Sequence, residues 1–167
     1  MAKSTSIKPA VKKAAPKKKK AESKTPVSKA TGMRYQDKSA GQEHLLPIFE
    51  EIKTLLLPYA KGSMEVRGGT GGEMVLVSKK EVEIAGRKRD ELWFAGIIVQ
   101  KGYVGFYYMP IYAEPEIKRV FSPGLLKCLK GKSCFHIKKY DKEIFLQIKT
   151  ALKVGYEGYL KKGWITK

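Results

Sequence analysis

Two strongly β-prone runs, Trp93–Gln100 and Tyr103–Met109, stand on either side of Lys101-Gly102, and no other feature restricts the fold as much. A two-residue link with glycine free to take a positive φ closes a tight antiparallel hairpin. Both faces of each run are largely apolar, so the two strands belong inside a sheet and not at an exposed edge. Pro110 ends the second run.

Helical periodicity flanks this hairpin. Leu45, Phe49, Ile52, Leu56 and Tyr59 recur every three or four residues, which predicts an amphipathic helix over residues 42–59. Pro47 is tolerated only in its first turn, and Pro58 with Gly62 marks its end. At the other end Phe145, Ile148, Leu152, Tyr156 and Tyr159 form the stripe of a long helix, with Lys149, Lys153 and Lys161 mostly opposite. Asp141 precedes that helix and is placed to accept the free amide hydrogens of its first turn.

Between these elements, Gly68-Gly69 and Gly71-Gly72 around Thr70 read as a flexible turn before the strand Met74-Val75-Leu76-Val77. Val82 and Ile84 alternate with Glu81 and Glu83, as in a half-exposed strand. Residues 114–120 predict a short helix, and Ser122-Pro123-Gly124 a break. Residues 125–130 add a further helical turn or two, and Ser133–Ile137 a last strand. The resulting class is α+β: an antiparallel β-sheet with a central hairpin, packed by an N-terminal and a long C-terminal helix.

The charge is uneven. The 167 residues carry +18. Residues 1–32 hold ten Lys against Glu22 alone, or +9, and no aromatic residue. A stretch of Lys, Ala, Ser, Thr and Pro cannot bury enough apolar area to offset its ordering entropy. Residues 1–40 are therefore expected to be a disordered basic tail, and residues 41–167 a single domain. The Lys residues, with Lys12, Lys13, Lys17, Lys18, Lys19 and Lys20 at their densest, would attach electrostatically to nucleic acid or another polyanion. No apolar stretch follows Lys3 or Lys8 as a secretory signal requires, so a cytoplasmic location and free thiols are expected. Two cysteines exclude a disulfide-stapled mini-protein. No run approaches the roughly 18 apolar residues of a spanning helix, so no membrane role is expected.

Four patterns invite a chemical reading. Lys101-Gly102-Tyr103 opens like an RNA-recognition strand, but Val104 and Gly105 reverse the required order, and Phe106 and Tyr108 read as core. Gly131-Lys132-Ser133 resembles the end of a phosphate loop, yet Gly124 lies seven residues before Gly131 where the loop needs five. A weaker anion contact by Gly131, Lys132 and Ser133 is what remains. Cys128, Cys134 and His136 form a soft-ligand cluster for iron or zinc; on a strand, Cys134 and His136 share a face. A Cys134–His136 nucleophile–base pair lacks an orienting third group. Glu81, Glu83, Asp90 and Glu91 are interleaved with Lys79, Lys80, Arg87, Lys88 and Arg89, which reads as solvated ion pairing. No catalytic constellation emerges, and no cofactor is called for.

Residues 78–162 resemble the YdhG-like domain family, small bacterial proteins largely of unknown function. Lys79-Lys80-Glu81-Val82-Glu83-Ile84 with Gly86-Arg87-Lys88, Phe94-Ala95-Gly96, residues 100–107, Met109-Pro110-Ile111-Tyr112 and Gly131-Lys132-Ser133-Cys134-Phe135 carry the likeness. It implies an intracellular α+β domain and, since one relative is described as a frataxin-like iron chaperone, a metal-delivery alternative. Iron delivery calls for surface carboxylates, whereas those of this body lie among Lys and Arg. The preferred expectation is a non-enzymatic binding domain whose tail attaches to polyanions.

Overall fold

A computed structural model describes residues 37–167. The basic-tail reading of residues 1–36, with Lys12, Lys13, Lys17, Lys18, Lys19 and Lys20, lies outside the described residues. Residues 37–40 join the folded body: the Lys38 amide donates to the Gly71 carbonyl at 2.8 Å, and its ammonium sits 2.5 Å from Glu73.

The first helical stripe forms a 3-10 turn (Glu43–Leu45), helix α1 (Leu46–Leu56) and a second 3-10 turn (Leu57–Tyr59). Pro47 lies in the first turn of α1, where its missing N–H costs nothing. Leu45, Ile48, Phe49, Ile52 and Leu56 are buried, as the periodicity requires. Strands β1 (Met64–Thr70), β2 (Glu73–Ser78), β3 (Val82–Ile84), β4 (Arg87–Arg89), β5 (Leu92–Gln100) and β6 (Tyr103–Tyr108) follow. Then come α2 (Pro110–Ala113), a 3-10 segment (Pro115–Val120), α3 (Pro123–Cys128), β7 (Leu129–Lys130), β8 (Cys134–Ile137) and α4 (Lys142–Lys161).

Among the described residues the strands make a six-stranded antiparallel sheet in the order β1-β2-β5-β6-β8-β7, and a separate hairpin of β3 with β4. The β5–β6 pair sits in the interior of the sheet, as its two apolar faces demand. Gly102, at φ 82°, turns the chain between them.

Three local readings change. Gly68 and Gly69 are not a turn but the last part of β1, and the turn is Gly71-Gly72. Strand pairing overrides their low β propensity, and the register slips between Gly68 and Thr70. At Gly68, a Cβ would stand 2.5 Å from the Glu73 carbonyl, so glycine fits this crossing. The helical turn expected over residues 125–130 stops at Cys128, and Leu129-Lys130 instead pair with Phe135 and Cys134. The single half-exposed strand read at Val82 and Ile84 has a partner in Arg87–Arg89, joined through Ala85 (φ 53°) and Gly86 (φ 73°).

The helices cover one sheet face. Phe94 sits among the rings of Tyr59, Tyr108, Tyr156 and Tyr159, with centroids 5.3–6.3 Å away. The Tyr108 hydroxyl donates to the Ala151 carbonyl of α4 at 2.5 Å, and the low-dielectric surroundings push its ionisation far up. Gly155 makes this approach feasible, because a Cβ there would overlap the Tyr108 hydroxyl and lie 2.7 Å from Pro110 Cγ. Asp141 caps α4 as expected: its Oδ1 accepts from the amides of Glu143 (2.9 Å) and Ile144 (3.4 Å). Ala at position 155 adds helix propensity of about 1 kcal/mol, but overpacks a rigid contact at a typical cost of about 1–3 kcal/mol. Gly155→Ala is therefore expected to lower the urea midpoint despite its better helix former; an unchanged or raised midpoint would contradict the packing.

Candidate functional site

Strand alternation sorts β6 and β8 into two sets. Val104, Phe106 and Tyr108 of β6, with Phe135 and Ile137 of β8, are buried in the core. Tyr103, Tyr107, Cys134 and His136 alternate with them and lie half-buried on the opposite face. Phe106 and Tyr108 are core, as expected where the RNA-recognition pattern fails. Tyr103 and Tyr107 are the aromatic residues of the other face, a pairing that the motif does not indicate.

On that face the Tyr103 and His136 rings stack, with centroids 3.8 Å apart and planes 14° from parallel. His136 faces Gly105 across the ladder, which leaves Tyr103 as its diagonal neighbour on β6. Tyr107 leans over Gly105, its ring 3.1 Å from where a Cβ would stand. Tyr107 stands directly opposite Cys134 in the β6–β8 ladder.

Beside the stack lies a cavity of about 400 Å³ at the junction of α3, β7, β8 and the start of α4. His136 lines it with Lys127, Lys130, Lys138, Lys139 and Cys128. The four lysines are exposed, and none has a carboxylate partner among the described residues. Asp141 is the acid in the lining, and its Oδ1 is engaged by the α4 amides. Burial first, and then the charges of Lys130 and Lys138, push the His136 pKa down, so the ring is neutral at pH 7.

The sequence-derived candidates fall in different places. Cys134 and His136 do share a face, and Cys128 lines the same cavity as His136. Cys128 Sγ, however, donates to the Gly124 carbonyl at 3.6 Å, and burial raises both thiols, which removes the thiolate character needed by a nucleophile or a soft-metal ligand. Among the described residues no three His, Cys, Asp or Glu side chains gather to hold a metal ion. Gly131, Lys132 and Ser133 form the tight turn from β7 to β8. Gly131 takes φ 70°, Lys132 is exposed, and Ser133 is buried with its carbonyl accepting from the Tyr108 amide at 2.9 Å. They lie outside the cavity lining. Glu91 is tied to Arg67 and, at 2.8 Å, to Lys79, and these cations hold its carboxyl below the usual range.

A second cavity, also about 400 Å³, opens between Leu92, Trp93, Met109, Tyr112 and Trp164. Trp93 and Tyr112 are 44% and 59% exposed. Tyr112 thus lines a hollow, while Tyr107 belongs to the other face and takes no part in it. Sequence reasoning missed Lys127, Lys138 and Lys139 as a group. Their signal is present as charge on either side of the soft ligands, Lys127 just before Cys128 and Lys138-Lys139 just after His136, but only the β7–β8 turn and the entry into α4 bring them round one hollow.

No family model, curated protein or solved structure matches the chain. No helix among the described residues is long and apolar enough to cross a membrane.

The lowered His136 pKa has a consequence for stability. The unfolded ring titrates near 6.5 and the folded one below that, so between the two values the unfolded chain binds more protons. The contribution is intact above pH 6.5 and is lost as pH falls through the folded value. The urea midpoint is expected to decline from pH 7.5 to 5.5, and His136→Gln to make that decline shallower; an equally steep decline in the variant would refute the assignment.

Proposed function

We propose that this chain is a non-enzymatic polyanion-binding protein of the cell interior, with nucleic acid as its polyanion. The observation that carries the reading is the hollow lined by Lys127, Lys130, Lys138 and Lys139, whose ammonium groups have no carboxylate partners among the described residues. Unpaired lysines round one concave surface concentrate positive potential where a phosphate backbone displaces its counterions. The ten Lys of residues 1–32 add a second source of the same attraction. The body and the tail thus act on one ligand, where charge counting alone assigns binding to the tail.

Metal delivery, which the likeness to YdhG-like domains implies, is the less favoured reading. The same four lysines repel a divalent cation from Cys128 and His136. Exposed thiolates and clustered carboxylates would be needed in their place.

A salt series with duplex DNA tests the proposal. Affinity of the full chain is expected to fall linearly in log–log form as salt rises. Residues 33–167 alone should bind more weakly and with a shallower slope, yet measurably. The double change Lys138→Ala with Lys139→Ala should reduce the slope by about one for each phosphate that is no longer neutralised. Asp141→Asn keeps a capping side chain and removes the one negative charge of the hollow, so it should tighten binding at near-constant stability. Absence of salt-dependent binding by the full chain would overturn the reading.

A further inference from the structure

The polyanion reading rests on charge and treats every nucleic acid alike. The site holds more than charge. His136 is shared by the two features described above: one face of its ring is covered by Tyr103, and its side chain also lines the lysine hollow. Parallel rings 3.8 Å apart leave each ring one face directed away from its partner. Tyr103 comes from β6 on one side of β8, whereas the hollow takes its lining from β7 on the other side, from α3 and from the start of α4, and nothing from β6. Its volume of about 400 Å³ lies in the range of small-ligand sites, roughly 300–1,000 Å³.

From this juxtaposition we propose that the body binds single-stranded nucleic acid, one base entering the hollow and stacking on His136 with Tyr103 behind it, while Lys127, Lys130, Lys138 and Lys139 hold the adjoining phosphates. Three features fit that ligand. A planar ring backed by a second planar ring is a rigid stacking platform, and every base has a π-face to place on it. A neutral imidazole stacks without bringing another charge into the hollow. The basic rim is continuous with the platform: Lys138 follows Ile137, the partner of Val104 on β6, and so stands at the Tyr103 end of the ladder. Lys101 lies in the turn that leads into Tyr103. Duplex DNA keeps its bases stacked on one another and cannot offer one to a hollow without being opened. A single strand offers them freely.

This inference depends on the polyanion reading, and the test separates the two. Three labelled probes of equal length are titrated against the full chain by fluorescence anisotropy at one salt concentration: a 20-nucleotide oligo-dT, an abasic 20-unit strand with the same phosphates, and a 20-base-pair duplex. Base–aromatic stacking contributes about fivefold to a hundredfold per base. Oligo-dT is therefore expected to bind at least fivefold tighter than the abasic strand. Tyr103→Ala and His136→Ala should each bring oligo-dT affinity towards the abasic value, collapsing the ratio between the two strands. Tyr103→Phe, which retains the ring, should keep the preference, and this separates loss of the platform from loss of the fold. Equal affinity for oligo-dT and the abasic strand overturns the stacking proposal while the polyanion reading stands. Failure of all three probes to bind overturns both.

Discussion

The hydroxyl of Tyr108 reaches the Ala151 carbonyl because residue 155, one turn further along α4, has no side chain to stand in its way. This contact fixes how closely the long helix lies on the sheet. With α4 seated there and Phe94 enclosed by four tyrosine rings, the apolar side of β5 and β6 is filled. One face of β6 and β8 is thus committed to the core, and period-two alternation sends every second residue to the other face. The positions of Tyr103, Tyr107 and His136 on that face follow from the burial of Val104, Phe106, Tyr108 and Phe135. The candidate site is held by the side of the sheet that takes no part in it.

Much of the architecture is legible in the residues. Both helical stripes, the cap at Asp141 and the interior hairpin come from periodicity and turn chemistry, which are local properties. What is not legible depends on distant partners. Gly68 and Gly69 have every local mark of a turn, and only the ladder with β2 makes them strand. Leu129 and Lys130 continue a helical pattern, and only pairing with β8 extends them. A glycine in sequence does not say whether it bends the chain or lets another backbone pass.

The site is less legible than the fold, for a similar reason. Spacing places Cys134 and His136 on one face, and they share it. Their ring and charge neighbours come from elsewhere: Tyr103 from β6, Lys127 from α3, Lys139 from the approach to α4. Lysines scattered over a dozen positions look like ordinary solvated charge until a turn folds them round a hollow. The half-buried thiols show the converse case, in which residue types suited to a metal sit in surroundings that oppose it.

The β3–β4 hairpin pairs only with itself, on a detour the chain takes between two strands that are already neighbours in the main sheet. Lys79 and Glu91 close the neck of that detour, with Arg67 of β1 on the same carboxylate. Doubling the length of such a loop costs only about 0.6 kcal/mol. The detour is therefore where this body can gain or lose residues, or open and reclose on its own, while the register of β2 against β5 stays as it is. Evolution and engineering alike have a free port there, on a strand pair remote from the stacked rings.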